Sequence, residues 1–310
     1  MSDEPSSLPP ERAGAVLRFA PSPNGRLHLG HAHSALVNRR MADRLGGRLL
    51  LRIEDIDPDR CTPELERALL DDLDWLGVRF DGPILRQSER GALYEAALRR
   101  LRGAGLAYPA FLSRRAVRDR VAADPQWPRD PDGAPHYPGE ERDLDPDEAR
   151  RRIGCGAPHA WRLNMDRAVA LAGPLQWTEV DDDGAPILRV RADPLAWGDV
   201  VLARADGPAA YHLAATVDDA AQGVTHVVRG RDLFRSTSVH RLLRALLDRS
   251  EPAHHHHGLV TVGGAKLAKS RQTGSSRDLA LHALRAAGVS PDGARSWLGE
   301  AVGAAGGIEP

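Results

Sequence analysis

The sequence predicts an α/β fold: a Rossmann-type parallel-sheet core, interrupted by an inserted domain and followed by a short helical C-terminal region. Three observations predict it. Strand-like and helix-like segments alternate from Ala15 to Leu76 at the spacing of parallel crossovers. A stretch rich in Pro, Asp and Arg then breaks that pattern between about Tyr108 and Arg152. Apolar β-rich and helical segments resume from Ile187 onward.

The elements follow in order. Ala15 to Ala20 is a short apolar strand, stopped by the turn residues Pro21-Ser22-Pro23-Asn24-Gly25. His28 to Leu45 carries apolar residues at Leu29, Ala32, Leu36, Val37, Met41 and Leu45, the period of a helix, and Gly46-Gly47 ends it. Arg48 to Ile53 is a second strand, and Pro63 to Leu76 a second helix with proline near its start. The closely spaced Pro125, Pro128, Pro131, Pro135 and Pro138 suit no continuous helix. Ile187 to Val190 and Val200 to Ala203 read as strands, Ala209 to Val217 as a helix, Val224 to Val228 as a strand and Arg235 to Leu247 as a helix. The division expected is a disordered lead over 1–14, the first half of the core over 15–106 and an inserted domain over 107–197. The second half of the core covers 198–264, and a lysine-bearing loop with short helices covers 265–310.

Composition excludes several classes. With 42% hydrophobic and 27% charged residues, the 310-residue chain has the make-up of a globular protein. It has no apolar run near the ~20 residues of a membrane span, so no membrane partner and a cytoplasmic setting are expected. Cys61 and Cys155 stand far apart and suggest neither a disulfide framework nor a cysteine-rich metal site. The net charge of −1 neither points to nucleic acid nor excludes it, and the arginine-rich stretches at Arg99–Arg120 and Arg150–Arg152 read most simply as solvated faces. The four-histidine run His254–His257 lies inside the chain, unlike an expression tag.

Two patterns carry chemistry. Every lysine falls within Lys266-Leu267-Ala268-Lys269-Ser270, whereas every other member of the 42 Lys+Arg is arginine. Lysine is a compact charge on a flexible stem and arginine a rigid fork, so a group that must approach and leave a phosphate has reason to refuse arginine. The second pattern is His28-Leu29-Gly30-His31, which opens a helix after a strand and a turn. Its histidines share one face, Gly30 leaves room for a nucleotide against the backbone, and helix N–H groups with imidazole donors suit phosphate.

Together with Arg18-Phe19-Ala20-Pro21-Ser22-Pro23-Asn24-Gly25, Arg52-Ile53-Glu54-Asp55, Tyr211-His212-Leu213-Ala214, Val217-Asp218-Asp219 and Val228-Arg229-Gly230, these motifs resemble the glutamate-type class I aminoacyl-tRNA synthetases. The resemblance runs from about Arg18 to Ser270. It implies ATP as substrate, Mg2+ with it, and L-glutamate as the amino acid. His28, Gly30, His31 and Lys269 would bind ATP, and His28, His31, Lys266 and Lys269 would stabilise the adenylation transition state. Glutamate would be held by Arg18, Phe19, Ala20, Pro21, Ser22, Glu54, Tyr211 and Arg229, with Glu54 on the α-ammonium and the arginines and tyrosine around the side-chain carboxylate.

Members that charge tRNA(Glu) carry a sizeable anticodon-binding region after the lysine motif, whereas about 40 residues follow Ser270. That ending resembles the branch of the family that transfers glutamate to queuosine in the anticodon of tRNA(Asp). The alternatives are a truncated enzyme charging the 3′ end of tRNA(Glu), another nucleotidyltransferase with the same histidine motif, and an inactive tRNA-binding paralogue. One departure stands out. Many relatives hold zinc in the insertion through cysteines, but the matching positions here are Ala110, Leu112 and Glu141, beside Tyr137, so zinc is not expected.

Overall fold

The computed structural model describes residues 14–204, 207–262, 265–266 and 280–303. Its first half is the expected alternation: β1 (Val16–Phe19), α1 (Leu29–Arg44), β2 (Arg48–Ile53), α2 (Pro63–Trp75), the short β3 (Leu85–Arg86) and α3 (Gly91–Gly103). All four residues of β1 are buried, as a central parallel strand requires. Thr62 caps α2 by accepting from the Leu65 N–H, with Pro63 in the first turn. Between α1 and β2 the chain passes so close to itself that a Cβ on Gly47 would lie 2.3 Å from the Ala15 carbonyl oxygen. Only glycine fits there.

The middle of the chain holds β4 (Ala107–Ala110), α4 (Arg114–Ala122), α5 (Pro146–Gly154), β5 (Ala160–Leu163), α6 (Met165–Ala172), β6 (Gln176–Val180), β7 (Pro186–Arg191) and β8 (Val201–Ala203). The proline-rich stretch is thus bracketed by two short helices. Each starts at a capping side chain, Ser113 and Asp145, and neither buries a residue. Strand pairing crosses the boundaries expected from composition. The β6–β7 hairpin lies within 107–197, yet β6 pairs with a strand of the second half of the core; β8, which lies beyond 197, pairs with β5. Composition marks where regular structure is interrupted, not which edge a strand joins.

The second half contains α7 (Tyr211–Ala221), β9 (His226–Gly230), α8 (Thr237–Leu246) and β10 (Ala253–His257), then the small hairpin of β11 (Thr261–Val262) and β12 (Ala265–Lys266), and finally α9 (Leu281–Ala286) and α10 (Pro291–Gly303). β1, β2 and β3 pair in parallel, as do β9 and β10. The two sets meet where β9 packs along β1. Thr225 N–H donates to the Val16 carbonyl at 2.9 Å, and the Val16 N–H donates to Thr225 Oγ1 at 2.8 Å. Two large apolar cores result among the described residues. One lies between β1, β2, α1 and the C-terminal helices, which contribute Leu281, Leu284, Ala294 and Leu298. The other joins α3, α6, α7 and α8 to β5 and β8. Among the described residues, no helix is long and apolar enough to cross a membrane.

Candidate active site

The cavity opens where β1 and β9 end, at the junction of the two halves, and encloses about 540 Å³. This is the expected place for a ligand in an open parallel sheet, beyond the carboxyl ends of strands that diverge. Arg18, Phe19, Ala20, Pro21, His28, Gly30, His31, Glu54, Tyr211 and Arg229 all line it. Ser22 falls instead into an adjoining cavity of about 280 Å³, which shares Glu54 and Tyr211 with the first.

On one side stands the start of α1. His28 is its N-cap: the Nδ1 atom accepts from the Gly30 N–H at 3.0 Å, and His31 Nδ1 accepts from the His28 N–H at 3.2 Å. The two rings lie 3.9 Å apart between centroids. A neutral ring accepting at Nδ1 carries its hydrogen on Nε2, and both imidazoles line the cavity. Gly30 has a second reason to be glycine beyond nucleotide approach. A Cβ there would sit 2.9 Å from His28 Cε1, against the ring that caps the helix.

Opposite lies a charged layer. Arg18 Nε donates to Asp219 Oδ1 at 2.9 Å, and Arg52 Nη1 donates to the same oxygen at 2.6 Å. Arg52 is fully buried and also reaches Glu54 Oε1 at 3.2 Å. Although burial works against it, the Arg18, Arg52 and Arg244 guanidiniums hold the Asp219 carboxyl well below the usual carboxylate range. Burial raises the pKa of the Glu54 carboxyl, opposed by Arg52 and Arg18. Arg229 is different. It is only 5% exposed, and among the described residues no carboxylate lies within ion-pair distance of it. Its contacts are Tyr211 Oη at 3.5 Å, Thr237 Oγ1 at 2.7 Å, and the rings of His240 and His256. A buried charge without a counter-ion is costly to keep, and a ligand anion is what would complete it.

The positions at which the family resemblance would place zinc ligands are packed differently. Tyr108, Ala110 and Tyr137 are buried together, with Leu112 and Val117 against them. Both Glu141 carboxylate oxygens are engaged: Oε1 accepts from the Phe111 N–H at 3.2 Å, and Oε2 from the Tyr137 hydroxyl at 2.8 Å. Residues so arranged do not fit a zinc ion, which needs three or four converging donors. Among the described residues there is no group of three or more His, Cys, Asp or Glu that could hold a metal.

Lys266 is placed through its backbone, opposite Thr261 in the β11–β12 hairpin, and Lys269 lies outside the described residues. Sequence reasoning missed Asp219 as the anchor of Arg18 and Arg52, and it missed Thr237, His240 and His256 around Arg229. The Val217-Asp218-Asp219 motif was a usable signal for the first. For the others there was none beyond the unexplained histidine run.

Sequence comparison assigns this fold and cavity to a class of enzyme. Residues 15–291 match the family of class I tRNA synthetases (E and Q), catalytic domain, and the chain belongs to that family. Among curated proteins it is 46% identical over 287 residues to the glutamyl-Q tRNA(Asp) synthetase of Rhodobacter capsulatus, covering 92% of this chain and 99% of that one. It is 40% identical over 282 residues to glutamate–tRNA ligase 2 of a Methylobacterium species, covering 89% of this chain but 58% of that one. Among solved structures, the glutamate–tRNA synthetase of Elizabethkingia anophelis superposes with a TM-score of 0.69 at 28% identity, over 83% of this chain and 53% of the other.

Proposed function

We propose that the chain activates L-glutamate with ATP and transfers it to queuosine in the anticodon of tRNA(Asp). The observation that carries the first step is Arg229, a buried guanidinium with no carboxylate partner among the described residues, on the same cavity as Glu54 and Tyr211. A ligand with an anionic side chain and an ammonium matches those charges. An α-carboxylate oxygen of glutamate attacks the α-phosphorus of ATP, and pyrophosphate leaves with the electron pair of the broken P–O bond. The His28 and His31 Nε2–H edges donate to the phosphate oxygens as charge builds there. Lys269 and Lys266 neutralise the departing pyrophosphate. Mg2+ bound together with ATP would offset part of the phosphate charge.

In the second step a hydroxyl of the queuosine cyclopentene attacks the glutamyl carbonyl, an ester forms and AMP leaves. The support for this acceptor is the 46% identity to a glutamyl-Q tRNA(Asp) synthetase along 99% of its length. The rival acceptor, the 3′ end of tRNA(Glu), is supported by the 40% identity to a glutamate–tRNA ligase. Against an inactive paralogue stands the paired, capped geometry of His28 and His31. The setting proposed is the cytoplasm, where ATP and tRNA meet.

Exchange of labelled pyrophosphate into ATP, driven by glutamate without any tRNA, tests the activation step. Exchange with glutamate, and little with glutamine or aspartate, is the expected result. Exchange that needs tRNA, or that another amino acid drives better, overturns this reading.

A further inference from the structure

The four-histidine run is a motif that the activation chemistry does not explain. It makes up most of β10, a partly buried strand between β9 and β6. Its third ring faces Arg229: His256 Nε2 accepts from Arg229 Nε at 3.2 Å. From α8, His240 Nδ1 accepts from Arg229 Nη1 at 3.1 Å, and Thr237 Oγ1 accepts from Nη2 at 2.7 Å. The guanidinium is held on three sides, each time by an uncharged acceptor.

Its chemistry fixes the protons. A guanidinium only donates, so the ring nitrogens facing it are bare and each ring's hydrogen sits on the other nitrogen. The rest of the network agrees. His256 Nδ1–H reaches Glu179 Oε1 at 2.7 Å, and Trp177 Nε1–H holds that same oxygen at 2.7 Å. His240 Nε2–H reaches His212 Nδ1 at 3.1 Å. Burial keeps these rings neutral: the pKa values of His256 and His212 are lowered to about 4, and that of His240 well below its ordinary value.

We propose that His240, His256 and Thr237 are positioning residues for substrate choice. They fix Arg229 without neutralising it, so its charge remains for the side chain of the substrate, and the site prefers glutamate over the equally shaped but neutral glutamine. The contrast lies on the same cavity, where Arg18, with Arg52 behind it, is satisfied by the carboxylate of Asp219. A carboxylate at either histidine position would orient Arg229 as well as imidazole does. It would also cancel the charge that discriminates.

The inference rests on Arg229 receiving the side-chain carboxylate, and the test separates the two. His240→Asn and His240→Asp have the same shape and differ by one charge, with an oxygen near the place of Nδ1. Pyrophosphate exchange is measured with glutamate and with glutamine for the purified full chain. His240→Asn is expected to raise the KM for glutamate several-fold while retaining the preference for glutamate. His240→Asp should lower the ratio of kcat/KM for glutamate over glutamine by a further factor of at least about ten, chiefly through KM. If the two variants shift that ratio alike, or neither shifts it, the proposal is overturned. Should either fail to fold, His256→Gln against His256→Glu gives the same comparison at the other ring, with the same deciding outcomes. Arg229→Gln is the control on the underlying reading. A preference for glutamate that survives it removes Arg229 from recognition altogether, whatever the histidine variants do.

Discussion

Arg18 Nε donates to Oδ1 of Asp219 across 2.9 Å, joining residues 201 positions apart in the chain. Arg18 comes from β1 of the first half and Asp219 from α7 of the second, so this contact ties the halves together at the floor of the cavity. Asp219 also takes Arg52 at 2.6 Å and Arg244 at 3.5 Å. One buried carboxylate thus organises three guanidiniums, while a fourth, Arg229, is left to its neutral partners.

Replacing Asp219 with Asn should therefore cost both stability and function. Three guanidiniums that are nearly or wholly buried would lose a shared anion, which costs roughly 3–5 kcal/mol. Denaturant unfolding should show that loss at neutral pH, and glutamate-dependent exchange should fall because Arg18 loses its orientation. The Asp219 pKa is depressed, so its contribution is full above the ordinary carboxylate pKa and fades only as strong acid protonates it in the folded state. A stable variant with normal exchange would remove Asp219 from this role.

Gly30→Ala should separate activity from stability. The added Cβ would meet His28 Cε1 at 2.9 Å, so the ring must leave its capping position. The lost cap costs about 1 kcal/mol. Exchange should fall by at least about tenfold while the chain stays folded, because the ring that faces the cavity moves. Wild-type exchange in the alanine variant would show that the ring position is immaterial.

Glu251 sets a pH dependence of stability. Burial raises its pKa from 4.5 to about 7, despite the opposing Arg244 and Arg241 guanidiniums, and its Oε1 accepts from His254 at 2.8 Å. An acid raised in the folded state destabilises when it ionises, so its cost is absent below pH 4.5, grows as pH rises and is complete above about 7. Glu251→Gln should then be more stable than wild type at pH 8 by about 1–3 kcal/mol and similar to it near pH 4. Unfolding curves at both values decide it; an equal difference at the two would contradict the assignment.

Much of this arrangement is legible from residues alone, and what is not has a physical cause. His28 to Leu45 reads as a helix because its apolar period and the Gly46-Gly47 stop are local, and the helix indeed spans Leu29–Arg44 with His28 as cap. The strand Arg48–Ile53 is found at those bounds for the same reason. The pairing of β6 with β10 is not local, since it joins Glu179 to His254, and composition alone puts that hairpin in the insertion. Arg18, Glu54, Tyr211 and Arg229 were recognisable as a set through their motifs. That Arg18 has an internal carboxylate while Arg229 has none among the described residues depends on tertiary contacts that no spacing encodes.

Lys269→Arg tests the lysine motif. Charge is kept while shape and hydration change, so exchange should fall by at least about tenfold, about 1.4 kcal/mol of barrier. An arginine variant as active as wild type would mean that lysine stands there by chance.

The central claim is the acceptor, and one measurement reaches it directly. Purified enzyme is given ATP, labelled glutamate and tRNA(Asp) from which the 3′-terminal adenosine has been removed, with and without queuosine in the anticodon. Label should enter the trimmed queuosine-containing tRNA and not the trimmed queuosine-free one. Label that is lost on trimming, or that enters tRNA(Glu) more readily, would contradict it and assign the chain to 3′-end charging.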